Sequence, residues 1–471
     1  MTTKIDVRRK GVVLVFVAIV LVCLIGIMAL ALDVGYLYNI KADLQVAVDD
    51  AALAGAGGLS TDQATARARA IDIAQKNYAN GLPVILQNSD VQLGLWDSVT
   101  GFTPVNSPTA RANAVKVDAK LMGTKTIFAG VLGIKSVNVG ASSIAVFGAR
   151  DIVLTLDYSG SMSYDSQFIH KQQMGLTAVE GYLDQSWQDL SYLWQKPGSP
   201  LYGTGLLQKK TYISNNNTVI LNTLGLRNVP YPYPSGSWNE YINYVKTDSY
   251  VGQAGYQNYY GYRTLLNYWQ NQQEMASQTP DLWQTHEQPI TAVKDAVTLF
   301  LAYMDELRTD DRLGLVSYTY TNGGGHLEQQ LTDDYTLIES RSRHMQAGNY
   351  FDTTNIAGGI ATALTELQTR GRTGALRLIV LLTDGQANYP DPWTAKDLAR
   401  AQAQQAANNN IPILTICLGA DADTELMQDI ADISKGAYFV IPGGHSVDEY
   451  KQQLDDIFAQ IASRRPLRLV N

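Results

Sequence analysis

Residues Gly11 to Leu32 form a run of 22 without a charged side chain, and this run constrains the chain more than any other feature. A helix of about 20 apolar residues spans the hydrocarbon core of a bilayer. Lys4, Arg8, Arg9 and Lys10 precede the run and Asp33 follows it. Basic residues gather on the cytoplasmic side of a span. The expectation is therefore a cytoplasmic tail (1–10), a transmembrane helix (11–32), and the bulk of the chain in the periplasm or outside the cell. Ala29-Leu30-Ala31 would suit a signal-peptide cleavage site. Signal h-regions, however, run to about 7–15 residues, which favours a retained single-pass anchor. No second run of comparable length follows.

The helical pattern continues beyond the apolar run. Leu37, Ile40, Leu44, Ala47, Ala51 and Ala54 recur at three- and four-residue steps between Lys41, Asp43, Asp49 and Asp50, the signature of an amphipathic helix. Gly55, Gly57 and Gly58 are expected to end it, with a second helix over Thr61 to Tyr78. Strand-like stretches follow at Val84–Gln87, Val91–Trp96, Ala114–Leu121 and Ser136–Phe147, several of them alternating apolar and polar residues. The segment from Gly11 to Ala56, with Ala31-Leu32-Asp33-Val34-Gly35-Tyr36-Leu37-Tyr38 and Leu44-Gln45-Val46-Ala47-Val48-Asp49-Asp50-Ala51, resembles the N-terminal region of TadG-like Flp pilus-assembly proteins. The resemblance implies a pilin-like α+β region over 33–149. It departs from processed pilins at Phe16, where those carry a Glu five residues after the cleaved Gly. The segment thus reads as an anchor and not as a filament-forming helix.

The chain has 471 residues, which suggests about three domains. With 45% hydrophobic and 17% charged residues it can bury a sizeable core. A net charge of −8 argues against nucleic acid as a partner, because phosphates need a basic patch. The two cysteines, Cys23 in the apolar run and Cys417 in an expected strand, are too few for a structural zinc site and are not expected to pair.

Asp151 to Leu156 is a short apolar strand ending in Asp157-Tyr158-Ser159-Gly160-Ser161-Met162-Ser163. One carboxylate and two hydroxyls at alternate positions of a turn offer three hard oxygens, which suit a cation such as Mg²⁺. The same residues could simply cap local backbone N–H groups. Two later segments strengthen the first reading. Leu376 to Leu382 is another continuous apolar strand, followed by Thr383-Asp384-Gly385, and Thr353-Thr354-Asn355-Ile356 opens a helix. Continuous apolar runs suit strands buried on both faces of a parallel sheet, and such sheets bind ligands beyond the carboxyl ends of their strands.

Together these segments resemble the von Willebrand factor type A (VWA) family and its metal-ion-dependent adhesion site (MIDAS). The resemblance implies that Asp157, Ser159, Ser161 and Thr354 ligate Mg²⁺ (or Mn²⁺/Ca²⁺), with Asp384 acting directly or through water. Thr354 is favoured over Thr353 because it precedes Asn355-Ile356 in the family's Thr-Asn-Ile pattern. Tyr158, Met162 and Gly385 flank these positions and are the candidate partner-contacting residues. The family further implies a protein ligand that offers an acidic side chain to the metal.

The remaining layout fits an α/β fold, a doubly wound parallel-sheet, Rossmann-like domain over 150–465. Ile290, Val293, Val297, Phe300, Leu301 and Met304 form one helix face, Asp310-Asp311-Arg312 a turn, and Leu313–Tyr318 and Pro412–Leu418 strands. A helix from Thr424 to Ser434 is expected to stop at Gly436, with a strand at Ala437–Ile441. Ser446-Val447-Asp448-Glu449 reads as a capping box for a final helix carrying Tyr450, Leu454, Ile457, Phe458 and Ile461 inward. Residues 164–287 are an insertion with 15 of the chain's 27 tyrosines and five of its seven tryptophans. It is either a recognition surface beside the metal or a subdomain whose aromatics form its own core.

Adhesion within pilus assembly or surface attachment, with cell-envelope proteins as partners, is the leading functional expectation. A hydrolase is disfavoured, since none of His170, His286, His326, His344 and His445 falls in the metal motifs and no Gly-x-Ser-x-Gly or Walker loop is present. A purely structural pilin-like part with the VWA domain as scaffold is the third reading. The anchor argues against a cytoplasmic chelatase subunit.

Overall fold

The computed structural model describes the chain except residues 1–7, 60, 98–99, 108–111, 195–209, 308–310, 320–323, 420, 443–446, 464–465 and 471. Lys4, Asp310, His445 and Ser446, named above, lie outside the described residues. The chain forms two compact units, Met1–Gly148 with Arg465–Asn471, and Ala149–Arg464.

In the first unit α1 (Arg8–Gly58) is one helix of 51 residues. Its first part is long and apolar enough to cross a membrane. From Ile40 onward one face (Leu44, Ala47, Val48, Ala51) is buried against an antiparallel sheet. That sheet contains β3 (Val91–Asp97), β4 (Gly101–Pro104), β5 (Ala114–Lys125) and β6 (Ser136–Phe147). The C-terminal strand Leu467–Val470 adds to β6, giving the order C-terminal strand, β6, β5, β3, β4.

α2 (Gln63–Lys76) is shorter than expected; the Asp62 side chain accepts from Thr65 N and starts it. Gly55 and Gly57 do not terminate α1 but lie within it. A Cβ at Gly55 would come within 3.1 Å of Ala70 Cβ, and one at Gly58 within 2.7 Å of Ala66 Cα. These glycines let α2 approach α1 closely, through Ala66, Ala70 and Ala74. Val84–Gln87 is not a strand: pairing is confined to β1 (Tyr78–Ala79) and β2 (Leu82–Pro83). The Asn80-Gly81 turn between them, with both φ angles positive, closes a two-residue hairpin.

The second unit is built on a six-stranded sheet of β7 (Arg150–Asp157), β8 (Arg312–Tyr318), β9 (His326–Thr332), β10 (Leu376–Thr383), β11 (Ile413–Leu418) and β12 (Ala437–Ile441). The order is β12-β11-β10-β7-β8-β9. All pairings are parallel except β9 on β8. The antiparallel edge was not expected. Residues 319–325 are too few for the crossover that a parallel neighbour requires.

Alternate residues of β7 face opposite layers. Ile152, Leu154 and Leu156 meet α10 (Ile290–Leu307) and α15 (Val447–Ser463). Val153 lies in the opposite layer with α12 (Ile356–Arg370), α13 (Pro392–Asn408) and α14 (Thr424–Ser434). The chain leaves β7 for β8 on one side and returns to β10 on the other, so the switch point lies between β7 and β10. α14 ends differently from the expectation: Lys435, at φ 60°, is the left-handed residue. Gly436 is needed instead because a Cβ there would overlap the Ile413 carbonyl at 1.8 Å.

The insertion is mainly helical. It includes α4 (Leu176–Asp189), α7 (Trp238–Thr247) and α9 (Tyr262–Gln272), with α3 (Lys171–Met174), α5 (Ser191–Trp194), α6 (Asn217–Thr223) and α8 (Ser249–Gln253) as short pieces. Most of its described aromatics pack on one another. Trp187, Trp238, Tyr241, Tyr260, Tyr268 and Trp269 are buried in one cluster with Phe168 and Leu183. Of the two readings of this segment, the structure bears out a separate aromatic core.

Candidate metal centre

β7 and β10 run side by side, with Leu156 opposite Leu382. Asp157 and Thr383-Asp384 therefore leave adjacent parallel strands at the same carboxyl edge, at the switch point. Thr354 arrives from a third direction, at the entry to α12. The Asn355 side chain accepts from Gly358 N at 3.0 Å and caps that helix. Gly359 lets the helix lie close to the sheet, since a Cβ there would be 2.8 Å from Tyr318 Cδ1 and 3.0 Å from Thr155 Cγ2. Asn388 fixes the threonine: its Oδ1 accepts from Thr354 N at 2.9 Å, and its own N–H donates to Thr354 O at 3.2 Å.

The five oxygen-bearing side chains form one connected cluster. Thr354 Oγ1 donates to Ser159 Oγ at 3.2 Å, Ser159 and Ser161 hydroxyls lie 3.0 Å apart, and Ser161 Oγ donates to Asp384 Oδ1 at 2.8 Å. Asp157 accepts from Ser159 N at 2.9 Å and from Thr383 Oγ1 at 2.7 Å. Thr353 is not part of the cluster, and its hydroxyl has no hydrogen-bond partner among the described residues. Asp157, Ser159, Thr354 and Asp384 are buried, and Ser161 is partly exposed.

Burial governs the electrostatics. It pushes Asp157 up to about 6, against the opposing hydrogen bonds from Thr383 and Ser159. Burial and the Asp157 charge push Asp384 well above the usual carboxylate range. Neither carboxylate has a Lys or Arg partner among the described residues. Two buried acids without a counter-charge, bridged by hydroxyls, are a donor set that suits a hard divalent cation. Among the described residues no group of three His, Cys, Asp or Glu side chains is placed to hold a metal, so an ion here depends on the Ser and Thr oxygens.

Two of the candidate partner-contacting residues must be corrected. Tyr158 and Met162 are fully buried in the core cluster beside α10. The Tyr158 hydroxyl donates to Ser342 O at 3.0 Å. With Ser159 and Ser161 turned to the cluster, the flanking side chains of Tyr158 and Met162 point into the core instead. Gly385 is buried too, a Cβ there lying 3.3 Å from Ser161 Oγ.

The structure also adds two acids that sequence reasoning missed. A Cβ at Gly160 would meet Asp352 Oδ1 at 2.2 Å and Glu274 Oε2 at 2.4 Å. Both carboxylates thus sit directly over the residue between the two serines. Burial, with the charges of Asp352 and Glu287, pushes Glu274 up to about 9. Glu274 comes from the insertion and carries no local motif, so only the three-dimensional contact reveals it. His170, which falls outside the metal motifs in sequence, lines a cleft with Asp384 and is held between Asp165 at 2.9 Å and Asp421 at 3.0 Å.

The fold and the strand-end cluster define the class: this is a protein with a VWA domain, and the VWA family model matches residues 283–453. That match begins after the first loop, and the pairing of β7 between β10 and β8 is what returns Asp157, Ser159 and Ser161 to the same domain. The Tad family (Flp pilus-assembly TadE/G-like) matches residues 11–58, and the Tad_C family (Tad-like Flp pilus-assembly) residues 54–145. The chain is a Tad-like Flp pilus-assembly protein with a VWA domain.

Solved structures that match part of the chain include a VWA protein from Catenulispora acidiphila, at 18% identity over 37% of this chain and 37% of that one, TM-score 0.30. An aerotolerance-related membrane protein from Bacteroides fragilis has 15% identity over 37% of this chain and 90% of that one, TM-score 0.29. The pilus adhesin SpaC from Lactobacillus rhamnosus GG has 11% identity over 78% of this chain and 39% of that one, TM-score 0.34. The chain thus spans little more than a third of the length of the first and third of these. No curated protein sequence matches the chain.

Proposed function

We propose that this chain is a membrane-anchored adhesion protein of a pilus-assembly system, whose VWA domain binds a divalent cation and through it an acidic side chain of a protein ligand. The observation that carries the reading is the pair of buried carboxylates, Asp157 and Asp384, joined through Ser159 and Ser161 without a cationic side chain among the described residues. Asp157, Ser159, Ser161, Thr354 and Asp384 would hold the ion, which would supply a Lewis-acid contact for a carboxylate oxygen. Mg²⁺ is the first choice, with Mn²⁺ or Ca²⁺ as substitutes.

The chain's own residues set how that contact is made. The partly exposed Ser161 is the accessible member of the cluster, and Asp384 faces the neighbouring cleft. Asp157, ionised above about pH 6, carries negative charge at the first loop, while Glu274, pushed up to about 9 by burial, stays neutral near pH 7. An incoming acid is therefore repelled by the metal-free site, and its binding depends on the cation. The Tad and Tad_C regions point to pilus or cell-envelope proteins as partners. The basic residues ahead of the uncharged run support an orientation with the N-terminus in the cytoplasm and the VWA domain on the far side.

The test is affinity capture of envelope proteins by the detergent-solubilised full chain, in Mg²⁺ and in EDTA, alongside Asp157→Ala. Specific partners should appear with the wild type in Mg²⁺ and be lost in the other two cases. Equal recovery in all three would exclude a metal-dependent adhesion site.

A further inference from the structure

The connection between β5 and β6 exposes a concentrated apolar surface. Ile127, Phe128, Val131 and Ile134 are all exposed, Val131 to 91%, around a short 3-10 turn at Ala129–Leu132. Soluble surfaces rarely gather large apolar side chains this way unless something covers them.

The loop is also fixed at one height along α1. Its backbone N–H groups at Ile127 and Phe128 donate to the Asp33 carboxylate at 2.6 and 2.9 Å, and Ala129 N donates to the same group. Asp33 is the first residue past the uncharged run. One helical turn back on the same face, Ala29 is half-buried, whereas Ala18 and Ala31 are exposed. The loop therefore reaches the level at which α1 leaves its apolar stretch. Lys125 and Lys135 stand exposed on either side of the tip.

We propose that residues 127–134 form a second membrane contact, which seats Ile127, Phe128, Val131 and Ile134 in the interfacial layer of the leaflet from which α1 emerges. The occupant is lipid because the apolar patch is continuous with the span and is held to it by Asp33. Apolar side chains enter the boundary between headgroups and acyl chains, while flanking lysines extend to the phosphates. The three amide donors keep the Asp33 charge satisfied at this depth, where water is scarce. Two contacts rather than one would fix the tilt and rotation of the first unit on the membrane. This inference rests on reading α1 as a membrane anchor.

The test uses full-length single-cysteine chains carrying an environment-sensitive NBD label, reconstituted in 3:1 phosphatidylcholine–phosphatidylglycerol vesicles. The labelled sites are Cys23 (with Cys417→Ala), Val131→Cys and Ala64→Cys (both with Cys23→Ala and Cys417→Ala). Lipid bearing a nitroxide near the top of its acyl chain, or in parallel samples near its methyl end to reach the midplane depth of Cys23, is the quencher. The Cys23 and Val131→Cys labels should both show blue-shifted emission and about a twofold or greater loss with quencher. The Ala64→Cys label, at the start of α2, should report water and stay unquenched. Quenching at Cys23 without quenching at Val131→Cys would leave the anchor standing and overturn the second contact. Blue-shifted but unquenched emission at Val131→Cys would assign the patch to a second copy of the chain and overturn it as well. Absence of quenching at Cys23 would overturn the anchor, and the inference with it.

Discussion

Replacing Asp157 by Asn should stabilise the metal-free protein while abolishing its response to divalent cations. Burial raises Asp157 from its ordinary value of 3.8 to about 6. The cost of ionising it in the folded state is therefore absent below 3.8, grows between 3.8 and about 6, and is constant above that. The full rise corresponds to roughly 3 kcal/mol at pH 7.5. Asn keeps an oxygen for Ser159 N and a polar group for Thr383 Oγ1, so little hydrogen bonding is lost.

At about 2–4 °C per kcal/mol, the Asn variant should melt roughly 6–12 °C above the wild type in EDTA. Wild type in Mg²⁺ at a hundred times its dissociation constant should gain about 2.7 kcal/mol, and the variant should gain nothing. The assay is thermal unfolding of the full chain in detergent, followed by the fluorescence of Trp187, Trp238 and Trp269, which are buried in the same unit. Wild-type stability in EDTA should also fall as pH rises from 4 to 6.5, and Mg²⁺ should flatten that slope. A wild type indifferent to Mg²⁺, Mn²⁺ and Ca²⁺, together with an Asn variant less stable in EDTA, would refute the idea that these buried acids await a cation.

Two further expectations concern the scaffold. Asp311→Ala should cost about 3–5 kcal/mol, read as a lower urea midpoint, because it strips the counter-charge from Arg150, whose guanidinium lies 3.0 Å away with both side chains fully buried; a loss below about 1 kcal/mol would contradict the buried pairing. His286 is raised by its hydrogen bond to Asp189 at 2.7 Å. Its contribution should be full below the ordinary histidine value near 6.5 and vanish as pH rises through the higher folded value. The gap in melting temperature between wild type and His286→Gln should accordingly be present at pH 5.5 and closed at pH 8.5, and an equal gap at both would rule the linkage out.

The sequence by itself determined the features that depend on neighbours along the chain. The uncharged stretch to Leu32, the three-four rhythm of α10 and the apolar strands β7 and β10 are local periodicities, readable because a helix repeats at 3.6 residues and a strand at two. The Asp157, Thr354 and Asp384 segments stand out for the same reason, since each sits at the edge of such an element. Tertiary structure decided whatever depends on partners distant in sequence. It turned Tyr158 and Met162 into the core and set Lys435 rather than Gly436 in the left-handed position. It also returned Leu467–Val470 to the first unit and brought Glu274 and Asp352 over Gly160. A side chain's burial, and the charges it meets, are fixed by the surfaces that fold against it, and those surfaces have no counterpart in local pattern.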